Sequence, residues 1–390
     1  MLMAMQSTNK ILIALVAVAV LVGVSTLVTS EKVKVPFAKE RSAIQLGLIA
    51  PLTGTAAIYG EEARNAVILG IEQINATGGI GGRKLELIVQ DGKCEARASL
   101  DAWETLVHGQ KVTIVFGGHC STETVSLAPR AANDHVLMLA NVTSASVIPN
   151  EGTWVFRNSP PNSYYAQEGA KYVAAQGIKR IITITELKDY PVDYTDNFVA
   201  AFKAAGGEVV AQEKFPPDAK DFRTILNKIK VQLHDTLLIS TQGPATMGII
   251  ADQMRTLRYE PMTMFNLAFN AQKFLESSRG YIPPKHIVVS PYTNPDPAFV
   301  DTYRARFGTD IKFNPYMIAA TYDMVYRLKA ALDACNANER DLPCLQRSFQ
   351  ATKEWHGAAG TITFEPDHRP HSPLAVLRVV NGVEQYEPLK

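Results

Sequence analysis

The stretch FGGHCSTETVSLAP, residues 116–129, places a cysteine and several hydroxyl side chains at a predicted strand-to-helix corner. Two glycines end an apolar run there, and the corner then carries Cys120, Ser121, Thr122 and Thr124. The first turn of a helix exposes backbone N–H groups, and these groups attract anions. The residue types therefore predict either anion binding or, from a free Cys120 thiol, nucleophilic chemistry.

The composition argues against a nucleic-acid partner. The chain has 390 residues and a net charge of +1, and its acidic and basic residues are interspersed. Nucleic-acid-binding proteins carry a basic patch or stripe, which this sequence does not show. A chain of this length can bury a large core and is expected to form two domains.

Residues 1–30 are predicted to be a targeting segment rather than part of the fold. The uninterrupted apolar core Ile11–Val22 has the length of a signal-peptide h-region. The whole apolar run, Ile11–Val28, is also just long enough to span a bilayer as an uncleaved anchor. Cleavage is the favoured interpretation, and a mature chain starting near Thr26 or Glu31 would distinguish it from anchoring. In either case the remaining chain is expected to be exported.

Because the chain is expected to be exported, its four cysteines are interpreted as residues of an oxidising compartment. None has zinc-like spacing, so a metal site is not predicted. In an oxidising compartment the favoured interpretation is two disulfides, Cys94–Cys120 and Cys335–Cys344. A catalytic Cys120 is the alternative, but an exported thiol without a motif histidine is usually paired. The structural role is therefore preferred.

Strand-like runs alternate with helix-like segments twice along the chain. One series extends from IQLGLIAPL to VLMLAN, and the second begins after WVFRNSPPNS. Such alternation predicts parallel sheets covered by helices on both faces. In the first series, Glu61 and Glu62 are expected in the first turn of a helix over residues 60–79.

Proline-bearing crossings are expected near residues 157–161 and 286–297, so the chain is predicted to form two lobes. The late helices are expected to return to the first lobe. This division assigns residues 44–158 and 292–358 to lobe 1 and residues 159–291 and 359–390 to lobe 2.

Catalytic and cofactor motifs are not found. The glycine-rich GGIGGRK, residues 78–84, follows a helix and precedes a strand, whereas a phosphate-binding loop needs the opposite order. A helix cap followed by a turn explains it better. The sequence contains no G-x-S-x-G or H-E-x-x-H motif, and His368 and His371 fall in a polar loop. No cofactor, metal or catalytic residue is predicted, and a binding protein is favoured over an enzyme.

Taken in order, these segments resemble a known family. Residues 44–390 resemble periplasmic solute-binding proteins of the leucine/isoleucine/valine-binding family, which serve ABC transporters. The resemblance rests on APLTGTAAIYGEEARNAVILGIEQINATGGIGGRKLELIVQD, DGKCEARAS, FGGHCSTETV, LANVTSAS, LKDYPVDYTDNF and AATYDMVY. It implies an α/β type I periplasmic binding protein fold, in which each lobe is a mainly parallel sheet flanked by helices and the ligand lies in the cleft. It also implies a periplasmic location, a small-molecule ligand and a permease partner in the inner membrane.

The resemblance further implies a set of ligand-binding residues. Hydroxyl and backbone N–H groups of the disulfide corner would hold the ligand's carboxylate, and two tyrosines would cover its body. Sequence alone favours the alternative that Ser121 or Thr122 only caps a helix, whereas the resemblance favours the ligand-binding role. The implied residues are Tyr59, His119, Cys120, Ser121, Val142, Thr143, Ser144, Tyr190, Leu267 and Tyr316.

One position departs from the family pattern. Members that bind α-amino acids pair the ammonium with an acid of the second lobe, where this chain has Leu267 between Asn266 and Ala268. An acid from the neighbouring loop can replace it, and the candidates are Glu186, Asp189 and Asp193. The expected ligand is a small carboxylate or amide with an apolar or aromatic body, with amino acids as the alternative. A membrane-anchored ligand-sensing module is the alternative function.

Overall fold

The structure is a computed structural model that describes residues 42–54, 56–140, 142–291 and 295–389. The predicted signal peptide or anchor, residues 1–30, lies outside the described residues. Within the described ranges, none of the helices combines the length and the apolar character that crossing a bilayer requires.

Strands and helices alternate along the described part of the chain, as the pattern predicts. The strands are β1 Ile44–Ala50, β2 Leu85–Asp91, β3 Ile114–Gly117, β4 Leu137–Leu139, β5 Val155–Phe156, β6 Arg180–Glu186, β7 Glu208–Phe215, β8 Thr236–Ser240, β9 Met262–Phe265, β10 His286–Pro291, β11 Glu354–Gly357, β12 Gly360–Phe364, β13 Pro370–His371, β14 Leu374–Val380 and β15 Val383–Pro388. The α-helices are α1 Ala57–Ala76, α2 Ala96–Trp103, α3 Ser121–Asn133, α4 Asn162–Ala175, α5 Asp189–Ala204, α6 Arg223–Lys230, α7 Pro244–Thr256, α8 Ala271–Ser277, α9 Pro297–Phe307, α10 Pro315–Ala334 and α11 Leu342–Ala351. A π-helical turn, Glu104–Gly109, continues α2.

A five-stranded parallel sheet forms the centre of the first lobe, in the order β2-β1-β3-β4-β5. Helices α1, α10 and α11 cover one face through side chains such as Val67, Met324 and Leu345. Helices α2 and α3 cover the other face through Trp103 and Leu127. Burial on both faces explains why the inner strands are apolar along their whole length.

A seven-stranded sheet forms the second lobe, in the order β15-β14-β10-β9-β8-β6-β7. Strands β6 to β10 are parallel, and β14 and β15 join them antiparallel. Helices α4 and α5 pack on one face through Ala166 and Phe198, and α6, α7 and α8 pack on the other through Leu226, Met247 and Phe274. Each lobe is thus a mainly parallel sheet flanked by helices, as expected.

The chain passes between the lobes three times. The first passage lies between β5, at the edge of the first sheet, and α4, which packs on the second sheet. The crossing expected near residues 286–297 includes His286–Pro291, which is a fully buried strand of the second sheet that pairs with β9 and β14. The third passes through a separate small sheet, β11-β12-β13. The predicted lobe boundary between residues 358 and 359 falls inside the β11–β12 hairpin of that sheet.

Arg327 on α10 ties the first passage to the small sheet. Its guanidinium carbon lies 4.9 Å from the Phe349 ring centroid and 4.2 Å from the Phe364 ring centroid. Ring faces at these distances stabilise a cation. The Nη1 group donates a hydrogen bond to Oδ1 of Asn158 in the first passage. Because the side chain is buried, the pKa of Arg327 is lowered to about 9.

The start of α1 differs from the expectation. The helix begins at Ala57, so Glu61 and Glu62 do not lie in its first turn. Glu62 is buried instead, and it accepts hydrogen bonds from the backbone N–H groups of Lys312 and Phe313 at 2.7 and 2.9 Å. Glu62 therefore fixes the loop that contains Lys312 and Phe313, and it does not stabilise α1 through the helix dipole.

The four cysteines are paired in the structure as the sequence predicts. Cys94 bonds to Cys120 with a Cα–Cα distance of 5.4 Å, and Cys335 bonds to Cys344 with a Cα–Cα distance of 5.9 Å. The first bond connects the segment after β2 to the N-terminus of α3. The second connects the end of α10 to the first turn of α11.

We predict that non-reducing peptide mapping of the exported protein will recover these two pairs. Each bond closes a short loop and should stabilise the fold by roughly 3 kcal/mol. The double variant Cys335→Ser/Cys344→Ser, whose bond lies away from the cleft, should therefore unfold at lower denaturant concentration. Free thiols or a crossed pairing in the map would contradict the prediction.

Candidate functional site

A small cavity of about 40 Å³ lies between the two lobes. The first lobe supplies most of its wall, and the second lobe covers it. The cavity is lined by Tyr59, His119, Cys120, Ser121, Val142, Thr143, Ser144, Tyr190, Gln242, Leu267, Ala268, Phe313 and Met317.

Nine of the ten residues implied by the sequence resemblance line this cavity, and Tyr316 does not. Tyr316 is buried on α10, where its hydroxyl donates to the backbone carbonyl of Asn158 at 3.4 Å. Four lining residues were not in the implied set, namely Gln242, Ala268, Phe313 and Met317. Gln242 follows β8, and the carboxyl ends of parallel strands are where such sheets bind ligands, so its position could have identified it.

The disulfide corner is organised by Glu123, which is fully buried in the first turn of α3. Its carboxylate accepts backbone N–H hydrogen bonds from Cys94 at 3.0 Å, His119 at 2.9 Å and Cys120 at 3.1 Å. Gly92 gives it room, because a Cβ there would lie 2.2 Å from Oε1. Burial raises the pKa of Glu123 to about 7, against the opposing effect of the three N–H groups.

This arrangement corrects one expectation. The backbone N–H groups of His119 and Cys120 were expected to hold a ligand carboxylate, but Glu123 already accepts both. The anion at this helix N-terminus is therefore the protein's own carboxylate. Of the groups expected to bind at the corner, the hydroxyl and the backbone N–H of Ser121 are not held by Glu123.

A second-lobe loop is held in the same way. Glu186 is buried at the end of β6 and accepts the backbone N–H of Gln242 at 2.9 Å. Burial raises its pKa, and the Gln242 hydrogen bond opposes the rise. Together with Glu62, which holds Phe313, three buried carboxylates each fix a loop that lines the cavity.

Four buried polar atoms of the lining have no hydrogen-bond partner among the described residues. They are His119 Nε2, Ser121 Oγ, Thr143 Oγ1 and the Tyr190 hydroxyl. Buried polar groups in folded proteins are almost always hydrogen-bonded, because leaving one unpaired is costly. A cluster of such atoms around one cavity indicates a site built for a polar ligand.

The lining contains no Asp, Glu, Lys or Arg side chain. Of the candidate acids, Glu186 is engaged with Gln242, and Asp193 accepts hydrogen bonds from the Ser146 backbone N–H and hydroxyl, both at 2.9 Å. Asp189 begins α5 and is not part of the wall. Leu267, which the sequence resemblance places at the family's acidic position, is 2% exposed.

Tyr59 spans the cleft. Its hydroxyl donates to the backbone carbonyl of Gln242 in the second lobe at 3.1 Å, and its ring lies 4.4 Å from that of Phe313. Burial and the nearby Glu186 charge raise the pKa of Tyr59, so its hydroxyl stays protonated as a donor. The ring thus forms an apolar wall beside the polar atoms of the corner.

Two sheets of parallel strands with a cavity between their lobes are the architecture of a two-lobed solute-binding protein. The family model described as periplasmic binding protein matches residues 43–384. The chain belongs to this family, whose members bind solutes and are not enzymes.

Curated relatives carry amino-acid-binding names. The Leu/Ile/Val-binding protein BraC3 of Rhizobium johnstonii is 30% identical over 55% of this chain and 58% of its own length. A leucine-, isoleucine-, valine-, threonine- and alanine-binding protein of Pseudomonas aeruginosa is 26% identical over 48% of this chain and 50% of its own. The matches thus span about half to three-fifths of these two relatives. The Leu/Ile/Val-binding protein homolog 6 of Brucella melitensis is 23% identical over 86% of this chain and 87% of its own.

Solved structures share the fold. A leucine-binding protein LivK of Thermotoga maritima has a TM-score of 0.78 at 20% identity, covering 88% of this chain and 98% of its own. The branched-chain amino acid binding protein LivJ of Streptococcus pneumoniae, solved with isoleucine, has a TM-score of 0.77 at 21% identity, covering 89% and 99%. A solute-binding protein from R. palustris, solved with benzoate, has a TM-score of 0.77 at 18% identity, covering 89% and 96%. The predicted two-lobed type I fold is confirmed.

We predict that Glu123→Gln destabilises the protein by about 1–3 kcal/mol, because either orientation of the amide opposes its NH2 to a buried N–H donor. Val125→Ala, at an exposed site on the same helix, is the matched control and should change little. Urea unfolding of the three proteins measures the difference.

The destabilisation caused by Glu123→Gln should depend on pH. Because burial raises the pKa of Glu123 from 4.5 to about 7, its contribution to stability is present below pH 4.5 and is lost as the pH rises through 7. The loss is on the order of 3 kcal/mol and is absent from the Gln variant. A stability difference between wild type and variant that stays constant from pH 4.5 to 8 would rule out the shift.

Proposed function

We propose that this protein is an exported, periplasmic solute-binding protein that captures a small ligand by lobe closure and delivers it to an ABC transporter permease in the inner membrane. The observation that carries the proposal is the cleft cavity with its unpartnered polar atoms, His119 Nε2, Ser121 Oγ, Thr143 Oγ1 and the Tyr190 hydroxyl. Export through a cleaved signal peptide, residues 1–30, belongs to the same proposal.

The proposed ligand has a polar head and an apolar body. Ser121, Thr143 and Ser144 face the head, since they supply the hydroxyl groups of the wall. Tyr59 and Tyr190 cover the body from the two lobes. Leu267, Val142, Phe313 and Met317 complete the apolar part of the cavity.

The absence of charge in the wall bears on the choice of ligand. Burying an ammonium without a counter-ion costs several kcal/mol, which corresponds to a loss of several hundred-fold in affinity. Because the lining described above holds no carboxylate, a small carboxylate or amide is favoured. Amino acids remain the alternative, supported by the names of the relatives. The benzoate complex of a structural neighbour is compatible with the favoured class.

Calorimetry with leucine, phenylalanine and their deaminated analogues, 4-methylpentanoate and 3-phenylpropanoate, tests this class. We predict that the deaminated acids bind and that Ser121→Ala weakens them roughly fivefold to tenfold, since it removes one hydrogen bond. Ser126→Ala on the same helix is the control, because its hydroxyl donates to the Thr122 carbonyl outside the cavity. If the amino acids bind at sub-micromolar concentration and the deaminated acids do not, amino acids are the ligand class and the preference for a carboxylate or amide is wrong.

We also predict closure on binding. The cleft is bridged by Tyr59 to Gln242 and by the amide of Asn270 to the carbonyl of Lys312, and opening breaks both contacts. A bound ligand adds contacts to both lobes and favours the closed form. Small-angle scattering at ligand saturation should show a smaller radius of gyration than the free protein, whereas a non-binding analogue should leave it unchanged. An identical profile at saturation would argue against a clamp.

A further inference from the structure

Three histidines of this protein share one arrangement of the imidazole ring. Nδ1 lies within hydrogen-bond distance of a backbone carbonyl in each: Ile49 for His119 at 2.9 Å, Gln232 for His234 at 2.7 Å and Pro283 for His286 at 2.7 Å. A carbonyl oxygen can only accept, so Nδ1 carries the proton in all three rings. In the neutral ring Nε2 is then a hydrogen-bond acceptor.

Two of these acceptors are used within the protein. His286 Nε2 accepts the backbone N–H of Val379 at 2.8 Å, and His234 Nε2 accepts the hydroxyl of Tyr259 at 2.6 Å. His119 Nε2 has no such donor in the part of the chain that the structure describes. His119 is 3% exposed and lines the cleft cavity. Its acceptor is therefore the one of the three that a ligand in the cleft can reach.

His119 is neutral at physiological pH. Burial lowers its pKa to about 4, and the Ile49 carbonyl opposes this only in part. No Asp or Glu side chain lines the cavity with it, and Glu123 contacts the His119 backbone rather than the ring. A charged imidazolium that would attract a carboxylate is thus not formed.

We propose that His119 selects for a hydrogen-bond donor on the bound solute: Nε2 accepts an O–H or N–H of a ligand that also carries a carboxylate or amide. The inference rests on the proposed function of the cleft and narrows its ligand class. A hydroxy acid or a primary amide satisfies the site, and an amino acid would satisfy this acceptor but would leave its ammonium without a counter-ion in the lining. A plain carboxylate leaves Nε2 buried without a partner.

The hydroxyl groups of the wall and His119 Nε2 differ in the hydrogen bonds that they can form. Ser121 and Thr143 can donate to a carboxylate or amide oxygen, because a hydroxyl serves as donor or acceptor. A neutral Nε2 in the described tautomer can only accept. The same ligand must therefore present acceptor and donor atoms to neighbouring parts of one wall.

The first test is the tautomer. In protein labelled with 15N-histidine, the His119 signals, assigned by their loss in His119→Gln, should show a protonated Nδ1 and an unprotonated Nε2 at pH 7. Adding 2-hydroxy-4-methylpentanoate should shift the Nε2 signal in the direction of hydrogen bonding, and adding 4-methylpentanoate should not. A protonated Nε2 in the free protein overturns the inference.

The second test is selectivity, measured by calorimetry. The panel contains 4-methylpentanoate, its 2-hydroxy and 2-amino counterparts and its amide, and benzoate with its three monohydroxy derivatives. In the 4-methylpentanoate series and in the benzoate series, the tightest-binding compound with a hydrogen-bond donor should bind about tenfold to a hundredfold more tightly than the plain acid. The plain acid leaves the buried acceptor His119 Nε2 unpaired, which costs binding free energy. His119→Leu should reduce this ratio to near one.

Two further variants separate recognition from folding. His119→Gln retains an acceptor and should keep part of the ratio, while His234→Leu alters a histidine outside the cavity and should keep all of it. If plain acids and donor-bearing ligands bind wild type equally, the inference fails and the proposed function stands. If no member of the panel binds, the proposed ligand class fails and the inference fails with it.

Discussion

The cleft depends on buried carboxylates that hold backbone N–H groups. Glu62, Glu123 and Glu186 each lie behind the wall, and each accepts the N–H of a loop residue that lines it. Burying a carboxylate costs free energy unless it is hydrogen-bonded. Because moving one of these loops would break such a hydrogen bond, each loop is held in one conformation. The result is a wall with fixed geometry and no ionised side chain facing the ligand.

The same carboxylates determine what the wall can offer. At the N-terminus of a helix, free N–H groups normally attract a ligand anion. Here Glu123 takes two of those groups, and the disulfide to Cys94 adds a covalent link to the same corner. The N–H groups of His119 and Cys120 are therefore engaged within the protein, whereas the Ser121 hydroxyl and His119 Nε2 have no partner among the described residues.

How far the sequence predicts this structure depends on the distance between the residues involved. The alternation of strands and helices and the first passage between lobes follow from local patterns, and the resemblance located nine lining residues. Phe313 and Met317 could not be found this way, because they reach the cleft through a late return of the chain to the first lobe. The role of Glu123 was hidden for another reason: a capping box is recognised by Ser or Thr at its first position, and here that position is Cys120.

The two lobes contribute unequally to recognition. Three of the lining atoms that lack partners among the described residues, His119 Nε2, Ser121 Oγ and Thr143 Oγ1, belong to the first lobe, and one, the Tyr190 hydroxyl, belongs to the second. The second lobe contributes Tyr190, Gln242, Leu267 and Ala268, which are mainly cover. A ligand can thus form its directional contacts on the first lobe before closure, and closure then adds burial. For the ligand proposed above, selectivity among polar head groups would accordingly depend mainly on the first lobe, whereas the second would limit the size and shape of the apolar body.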